Sequence, residues 1–168
     1  MALSRADEFD LLTALYEGLH EEPRWATFRR RLQRRTRADH VSLVCGPGDM
    51  PPLDQAIVRS GALYHHLRPG RVYSAAELAG PSDANFEMDP VERTGTESGR
   101  YMRVTEPGGA SAWVSISRAG EDFSAAESAL LSALAPHLAI ALRTLRELES
   151  ARLRAAVSSI DREWRGLR

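Results

Sequence analysis

The residues with the chemistry to form a catalytic or metal site are few in this chain, and they are scattered. Its histidines, in chain order, are His20, His40, His65, His66 and His137. They form no HExxH motif, and no glycine-rich loop with a lysine follows a predicted strand as a phosphate cradle would. His65 and His66 are adjacent, so they point apart on a helix or to opposite faces of a strand. We therefore predict no enzyme active site, no metal and no cofactor.

Cys45 is the single cysteine, which excludes an internal disulfide. It ends an apolar run, residues 41–45, that predicts a buried strand. A lone cysteine in such a place is more often a small core residue than a nucleophile. We expect a core role for it.

Binding of a small molecule is the chemistry that the sequence favours. Amphipathic aromatic rings with a few polar groups are typical of small-molecule sites. The candidate residues of this kind are Tyr64, His66, Tyr73, Phe86, Tyr101, Arg103 and Trp113. The same residue types also fill cores, and Tyr101 and Trp113, on strands predicted to pair, would pack on each other. Both interpretations stay open at this point.

Three helical patterns surround these candidates. Apolar residues at steps of three and four predict a first helix over about 5–20 and a second over about 23–37. Ser124 and Glu127 form a capping box, after which an apolar stripe continues toward the C-terminus. If unbroken, that helix has about 40 residues and a length of roughly 60 Å. A compact domain of this size is about 30–35 Å across, so we expect the helix to leave its domain.

Short extended patterns alternate with turns between the second and the last helix. They lie at 41–45, 54–59, 71–73, 101–105 and 112–118. The turn Glu106-Pro107-Gly108-Gly109 joins the last two into a hairpin, and Ser74 with Glu77 predicts a second capping box. Residues 81–99 are polar and read as a long loop. Tight turns between strands predict an antiparallel sheet with helices segregated around it, which is the α+β class.

The composition fits one domain with an extension. The chain has 168 residues, 43% of them hydrophobic, and a net charge of −1, so no overall charge attracts nucleic acid. The second helix carries an arginine cluster, residues 29–37, which we interpret as a solvated face in preference to a phosphate-binding patch. No stretch reaches about 18 consecutive apolar residues, and acids near the N-terminus do not suit a secretory signal. We expect a cytoplasmic protein without membrane contact.

Three segments carry a resemblance to a known family. They are 24–28 (RWATF), 67–73 (LRPGRVY) and 122–138, which opens with Asp-Phe-Ser and ends with Ala-Pro-His-Leu. In their order and spacing they resemble the GAF-like N-terminal sensor domain of LuxR-type bacterial transcriptional regulators. The resemblance implies a GAF/PAS-like antiparallel sheet, flanked by N-terminal helices and a long C-terminal helix. It assigns 1–148 to the sensory domain and 149–168 to an extension or linker.

The resemblance also implies a function and partners. It implies a homodimer that binds a small effector over its sheet and transmits through the last helix. We expect the dimer interface to use Phe9, Leu12, Leu15, Leu138, Leu142 and Leu145. DNA would be contacted only through a helix-turn-helix domain that these residues do not include. The alternative function is a ligand-free structural dimerisation or protein-interaction module.

Overall fold

The computed structural model describes residues 5–47, 67–79 and 97–166. Within them the chain forms an α+β unit of four helices and four strands, with a short 3-10 helix, Gly18–His20, after the first helix. The helices are α1 (Arg5–Glu17), α2 (Ala26–Thr36), α3 (Ala75–Ala79) and α4 (Ala125–Gly166). The strands are β1 (His40–Pro47), β2 (Val72–Ser74), β3 (Glu97–Thr105) and β4 (Ala110–Ala119).

The four strands form one antiparallel sheet in the order β1-β4-β3-β2. This confirms the predicted α+β class and the hairpin between the last two strands. The predicted strand at 54–59 lies outside the described residues, as does most of the loop predicted at 81–99. Residues 97–99 of that loop are instead the first residues of β3.

Helix α2 begins at Ala26, three residues later than the sequence predicts, because the chain first makes a turn. Trp25 has a φ of 57°, in the left-handed region, so it lies outside the helix. Its indole Nε1 donates to the Leu15 carbonyl at 3.0 Å, and its backbone N–H donates to the Gly18 carbonyl at 3.0 Å. A Cβ on Gly18 would lie 2.7 Å from Trp25 Cδ1, so this approach requires glycine.

Helix α4 begins at the predicted capping box. Ser124 Oγ accepts the Glu127 N–H at 3.3 Å, and Glu127 Oε2 accepts the Ser124 N–H at 2.6 Å. The helix then continues for 42 residues, with Pro136 inside it. At 1.5 Å per residue that is about 63 Å, so the predicted long helix is confirmed.

The core lies between one face of the sheet and helices α1, α2 and α4. Met102, Val114 and Ile116 from β3 and β4 are fully buried there, together with Phe28 and Leu131 from the helices. The same core takes in four residues that the sequence assigns to the dimer interface. These are Leu15, Leu138, Leu142 and Leu145, between 0% and 7% exposed.

The expected dimer interface therefore needs correction. A second subunit cannot reach those four leucines without displacing the packing of this subunit. The apolar stripe of α4 points into its own domain as far as Leu145, which periodicity alone could not distinguish from a contact with another chain. Of the six expected residues, Phe9 is 74% exposed and Leu12 is partly buried against the core.

A polar junction fixes the start of α4 to the rest of the domain. The guanidinium of Arg118, in β4, donates to the carbonyl oxygens of Thr36, Glu121 and Asp122 at 3.1, 2.8 and 2.6 Å. It also pairs with Glu127 Oε1 at 3.1 Å. One buried side chain thus joins the end of α2, the β4–α4 loop and the capping box.

Candidate functional site

The sheet has two faces of different character. Side chains alternate along a strand, and directly paired residues share a face. Met102 pairs with Val114, and both lie in the helical core. On the opposite face Tyr73 pairs with Tyr101, and Arg103 pairs with Trp113. We call this opposite side of the sheet the distal face.

All of the ligand candidates that the structure describes lie on the distal face. Tyr101 and Arg103 are two residues apart on β3, with Tyr73 beside the first and Trp113 beside the second. Trp113 is 2% exposed and Tyr73 is 7% exposed, while Tyr101 and Arg103 are half-buried. The antiparallel register thus brings four candidates into one contiguous group. Tyr64, His66 and Phe86 lie outside the described residues.

Tyr73 is engaged within the chain at both its ring and its hydroxyl. The hydroxyl accepts the backbone N–H of Arg68 at 2.8 Å. The guanidinium of Arg71 lies over the ring, 4.8 Å from its centroid. These contacts give Tyr73 a structural role at the sheet edge.

Tyr101 folds back over its own strand. A Cβ on Gly99 would lie 2.6 Å from the Tyr101 ring, so glycine at that position makes room for the aromatic side chain. The ring therefore lies along the distal face over Gly99, on the side of Tyr101 away from the Arg103–Trp113 pair.

The register also places serines on this face, which were not among the predicted ligand-binding residues. Ser115 pairs with both Tyr101 and Ser42, and Ser111 pairs with Thr105. Ser111 is 4% exposed. Hydroxyl groups at these positions can orient a polar ligand group. The alternation in β4, Ser111-Ala112-Trp113-Val114-Ser115, indicates that both serines share a face with Trp113. The pairing of the strands then shows that this is the distal face.

At the end of the hairpin, the turn Glu106–Gly109 contacts α4. Arg146 donates through Nη1 to the Gly108 carbonyl at 2.7 Å and pairs with Glu106 Oε1 at 3.1 Å. The backbone N–H of Gly108 is the main cause that lowers the pKa of Glu106; burial opposes this, and the Ala110 N–H and Arg146 add to the lowering. The carboxylate is therefore ionised at neutral pH.

Neither Cys45 nor His137 has the surroundings of a catalytic group. Cys45 is exposed, which corrects the expected core role. Partial burial of its thiol nevertheless raises its pKa to about 11, so it holds little thiolate at neutral pH. His137 Nδ1 lies 3.1 Å from the Tyr16 hydroxyl, so this histidine joins α4 to α1. Among the described residues, no group of three or more His, Cys, Asp or Glu side chains is placed to hold a metal ion.

The arginine cluster of α2 is partly tied to its neighbours. Arg31 pairs with Asp10 of α1, and Arg30 donates to Thr27 Oγ1 at 3.1 Å. Arg34 and Arg37 are exposed. The pair with α1 agrees with a solvated face that packs beside an acidic helix.

Beyond Leu148, α4 has no buried residue up to Ile160. Every side chain from Glu149 to Ile160 is exposed, including Leu153 at 67%, Val157 at 56% and Ile160 at 55%. Steps of four and three place these three residues on one side of the helix. We call Leu153, Val157 and Ile160 the exposed stripe.

By length and composition, the segment Ala125–Ile160 of α4 is also apolar enough to cross a membrane. The core helix of a soluble domain passes the same test. One side of this helix packs in the core of the chain, through Leu130, Leu131, Leu134, Leu138, Ala141, Leu142 and Leu145.

Comparison with protein-family models and with curated proteins gives no match for this chain.

Proposed function

We propose that this chain is a sensory module that binds a small molecule on the distal face and transmits its occupancy through α4. The different residues on the two faces of the sheet are the observation that supports the proposal. The helices complete an apolar core on one face. The other face gathers Tyr73, Tyr101, Arg103 and Trp113 at neighbouring positions. Aromatic walls around a few polar groups are the usual lining of a small-molecule site.

The chemistry of this face favours a particular ligand class. The guanidinium of Arg103 suits a carboxylate or another planar acceptor. The half-buried ring of Tyr101 suits a flat apolar body. We therefore propose a small aromatic or conjugated molecule that carries an anionic group.

The element order supports a GAF-like domain, such as LuxR-type regulators carry at the N-terminus. In that arrangement the module is a cytoplasmic homodimer. Helix α4 is its output, and a helix-turn-helix domain outside these residues contacts DNA. No catalytic step belongs to this function.

Native mass spectrometry of the purified chain, followed by denaturation of the same sample, tests the proposal directly. We expect extra mass that denaturation releases, and we expect Arg103→Ala to lose it. Arg30→Ala, on α2 and remote from the distal face, should retain it. A thermal-shift screen of small aromatic acids is the second arm, since a ligand at 100 times its Kd stabilises by about 2.7 kcal/mol. For a domain of this size that raises Tm by about 5 °C or more. Absence of both the adduct and any such shift would refute ligand binding.

The exposed stripe favours a second candidate, a ligand-free dimerisation module. Three large apolar side chains on an otherwise unsupported helix need a partner surface. Light scattering separates the two candidates when it is combined with the mass measurement. A dimer without adduct or thermal shift would support the dimerisation module, and a dimer with them supports the sensor.

A further inference from the structure

The β3–β4 turn, Glu106–Gly109, is closed by one buried carboxylate. The Glu106 N–H donates to the Ala110 carbonyl, and the Gly109 N–H donates to the Glu106 carbonyl, each at 3.0 Å. The Glu106 carboxylate itself accepts the N–H groups of Gly108 at 2.7 Å and Ala110 at 3.2 Å. This side chain is 2% exposed. The turn is thus a rigid loop around Glu106.

Arg146 binds this loop from α4 at two points. Its Nη1 donates to the Gly108 carbonyl and also pairs with the Glu106 carboxylate. A Cβ on Gly108 would overlap the Arg146 guanidinium, so the guanidinium can lie against the turn only because residue 108 is glycine. Such charge-assisted contacts are about twice as strong as neutral hydrogen bonds.

The contact lies between the two parts of the proposed sensor. On the sheet side, only the pairs 104–112 and 105–111 separate the Arg103–Trp113 pair from the turn. Three residues of strand span about 10 Å. On the helix side, Arg146 follows Leu145, the last buried residue of α4 within 125–160, and the exposed segment 149–160 begins three residues later.

We propose that Arg146 is a positioning residue that latches the β3–β4 turn to α4 and thereby couples the distal face to the exposed segment of α4. A ligand that shifts the Arg103–Trp113 pair moves the ends of β3 and β4. The turn moves with them as a unit, and the latch carries that movement to the point where α4 leaves the domain. The inference rests on the proposed sensory function and names the path by which it acts.

Hydrogen-exchange mass spectrometry of the ligand-free chain tests the latch first. Arg146→Ala should raise exchange of the turn amides by about tenfold or more, since hydrogen bonds to a charged group are lost. Gly108→Ala should also raise exchange of the turn amides, because its methyl group displaces the Arg146 guanidinium from the turn although the arginine itself is not mutated. Arg152→Ala is the matched control, as Arg152 is an exposed arginine on the same helix that does not contribute to the pKa of Glu106. Circular dichroism confirms that each variant is folded.

A double-mutant cycle then tests the coupling. Arg103→Met perturbs the distal face, and we expect it to change hydrogen exchange of residues 149–160 at least threefold in the parent chain. In the Arg146→Ala background the same substitution should have no effect on those residues. If the role of Arg146 is purely structural, Arg103→Met changes exchange equally in the parent and in the Arg146→Ala background. That result overturns the proposal. The proposal is also overturned if Arg103→Met leaves exchange of residues 149–160 unchanged in the parent, or if Arg146→Ala leaves exchange of the turn amides unchanged.

No ligand enters this cycle, so its outcome is separate from that of the mass measurement. A chain that binds a ligand but shows no coupling retains the sensory function and loses the latch. A chain that shows coupling without any ligand retains the latch as a mechanical link and loses the sensory function.

Discussion

Replacing Arg118 by methionine should be among the most damaging single changes in this domain. Methionine keeps most of the apolar stem and removes the guanidinium. The side chain of Arg118 is 10% exposed and that of its partner Glu127 is 19% exposed, so water compensates poorly for the loss. The carbonyl oxygens of Thr36, Glu121 and Asp122 lose a charged donor at the same time. The packing of the guanidinium over the Phe123 ring, 4.3 Å from its centroid, is lost as well.

The expected loss of stability follows from the fact that all of these contacts are made by the single guanidinium of Arg118. Removing one partner of a buried ion pair typically costs 3–5 kcal/mol, roughly, because the remaining charge is left without compensation. Glu127 keeps its bonds to the backbone N–H and hydroxyl of Ser124, which moderates that penalty. We therefore expect a loss of about 3 kcal/mol, out of the roughly 5–15 kcal/mol that stabilises a typical domain.

Urea denaturation followed by circular dichroism measures this loss. With a slope of about 1–3 kcal/mol per molar urea, a 3 kcal/mol loss lowers the midpoint by roughly 1–3 M. Arg143→Met is the control, since its pair with Glu147 is exposed on both sides and worth at most about 0.5 kcal/mol. A loss below about 1 kcal/mol for Arg118→Met, with unchanged slope, would refute the view that this junction holds α4 in place.

Further predictions concern pH, the thiol and the exposed stripe. Burial raises the pKa of Glu127, but the bonds from Ser124 and Arg118 outweigh it and the net pKa lies below the ordinary 4.5. Stability from this group is therefore complete above pH 4.5 and is lost as the pH falls through the folded-state pKa. Urea titrations at several pH values should show the advantage of the parent over Arg118→Met shrinking below pH 4.5; a constant difference would contradict this. Cys45, with its pKa raised to about 11, should react with iodoacetamide at pH 7.5 at least about tenfold more slowly than in urea, and equal rates would exclude the raised pKa. If the exposed stripe forms the proposed homodimer, Val157→Asp should convert dimer to monomer by light scattering while Ser158→Asp does not. An undisturbed dimer in both variants would move the interface elsewhere.

The elements whose signals are local could be predicted from the sequence. Both capping boxes appear as predicted, at Ser74 with Glu77 and at Ser124 with Glu127. The hairpin turn and the length of α4 were also readable, because turn residues and apolar periodicity act within a few positions of the chain. The start of α2 was misplaced, since the left-handed Trp25 depends on Gly18 and Leu15, which lie several residues upstream.

The surfaces that these elements present depend on how the elements pack together. Periodicity showed that Leu138 and Leu142 form a stripe, but their burial in the core of the same chain depends on the sheet and helices packed around them. Tyr73 lies beside Tyr101 only because β2 pairs with β3, and no local turn sets the pairing of two strands so far apart in the sequence. The contact of Arg146 with the turn spans 38 residues of sequence between donor and acceptor. Contacts at such separations form only when the helices and strands pack together. Local sequence patterns therefore predicted the helices and strands, while the contacts between them depend on the folded chain.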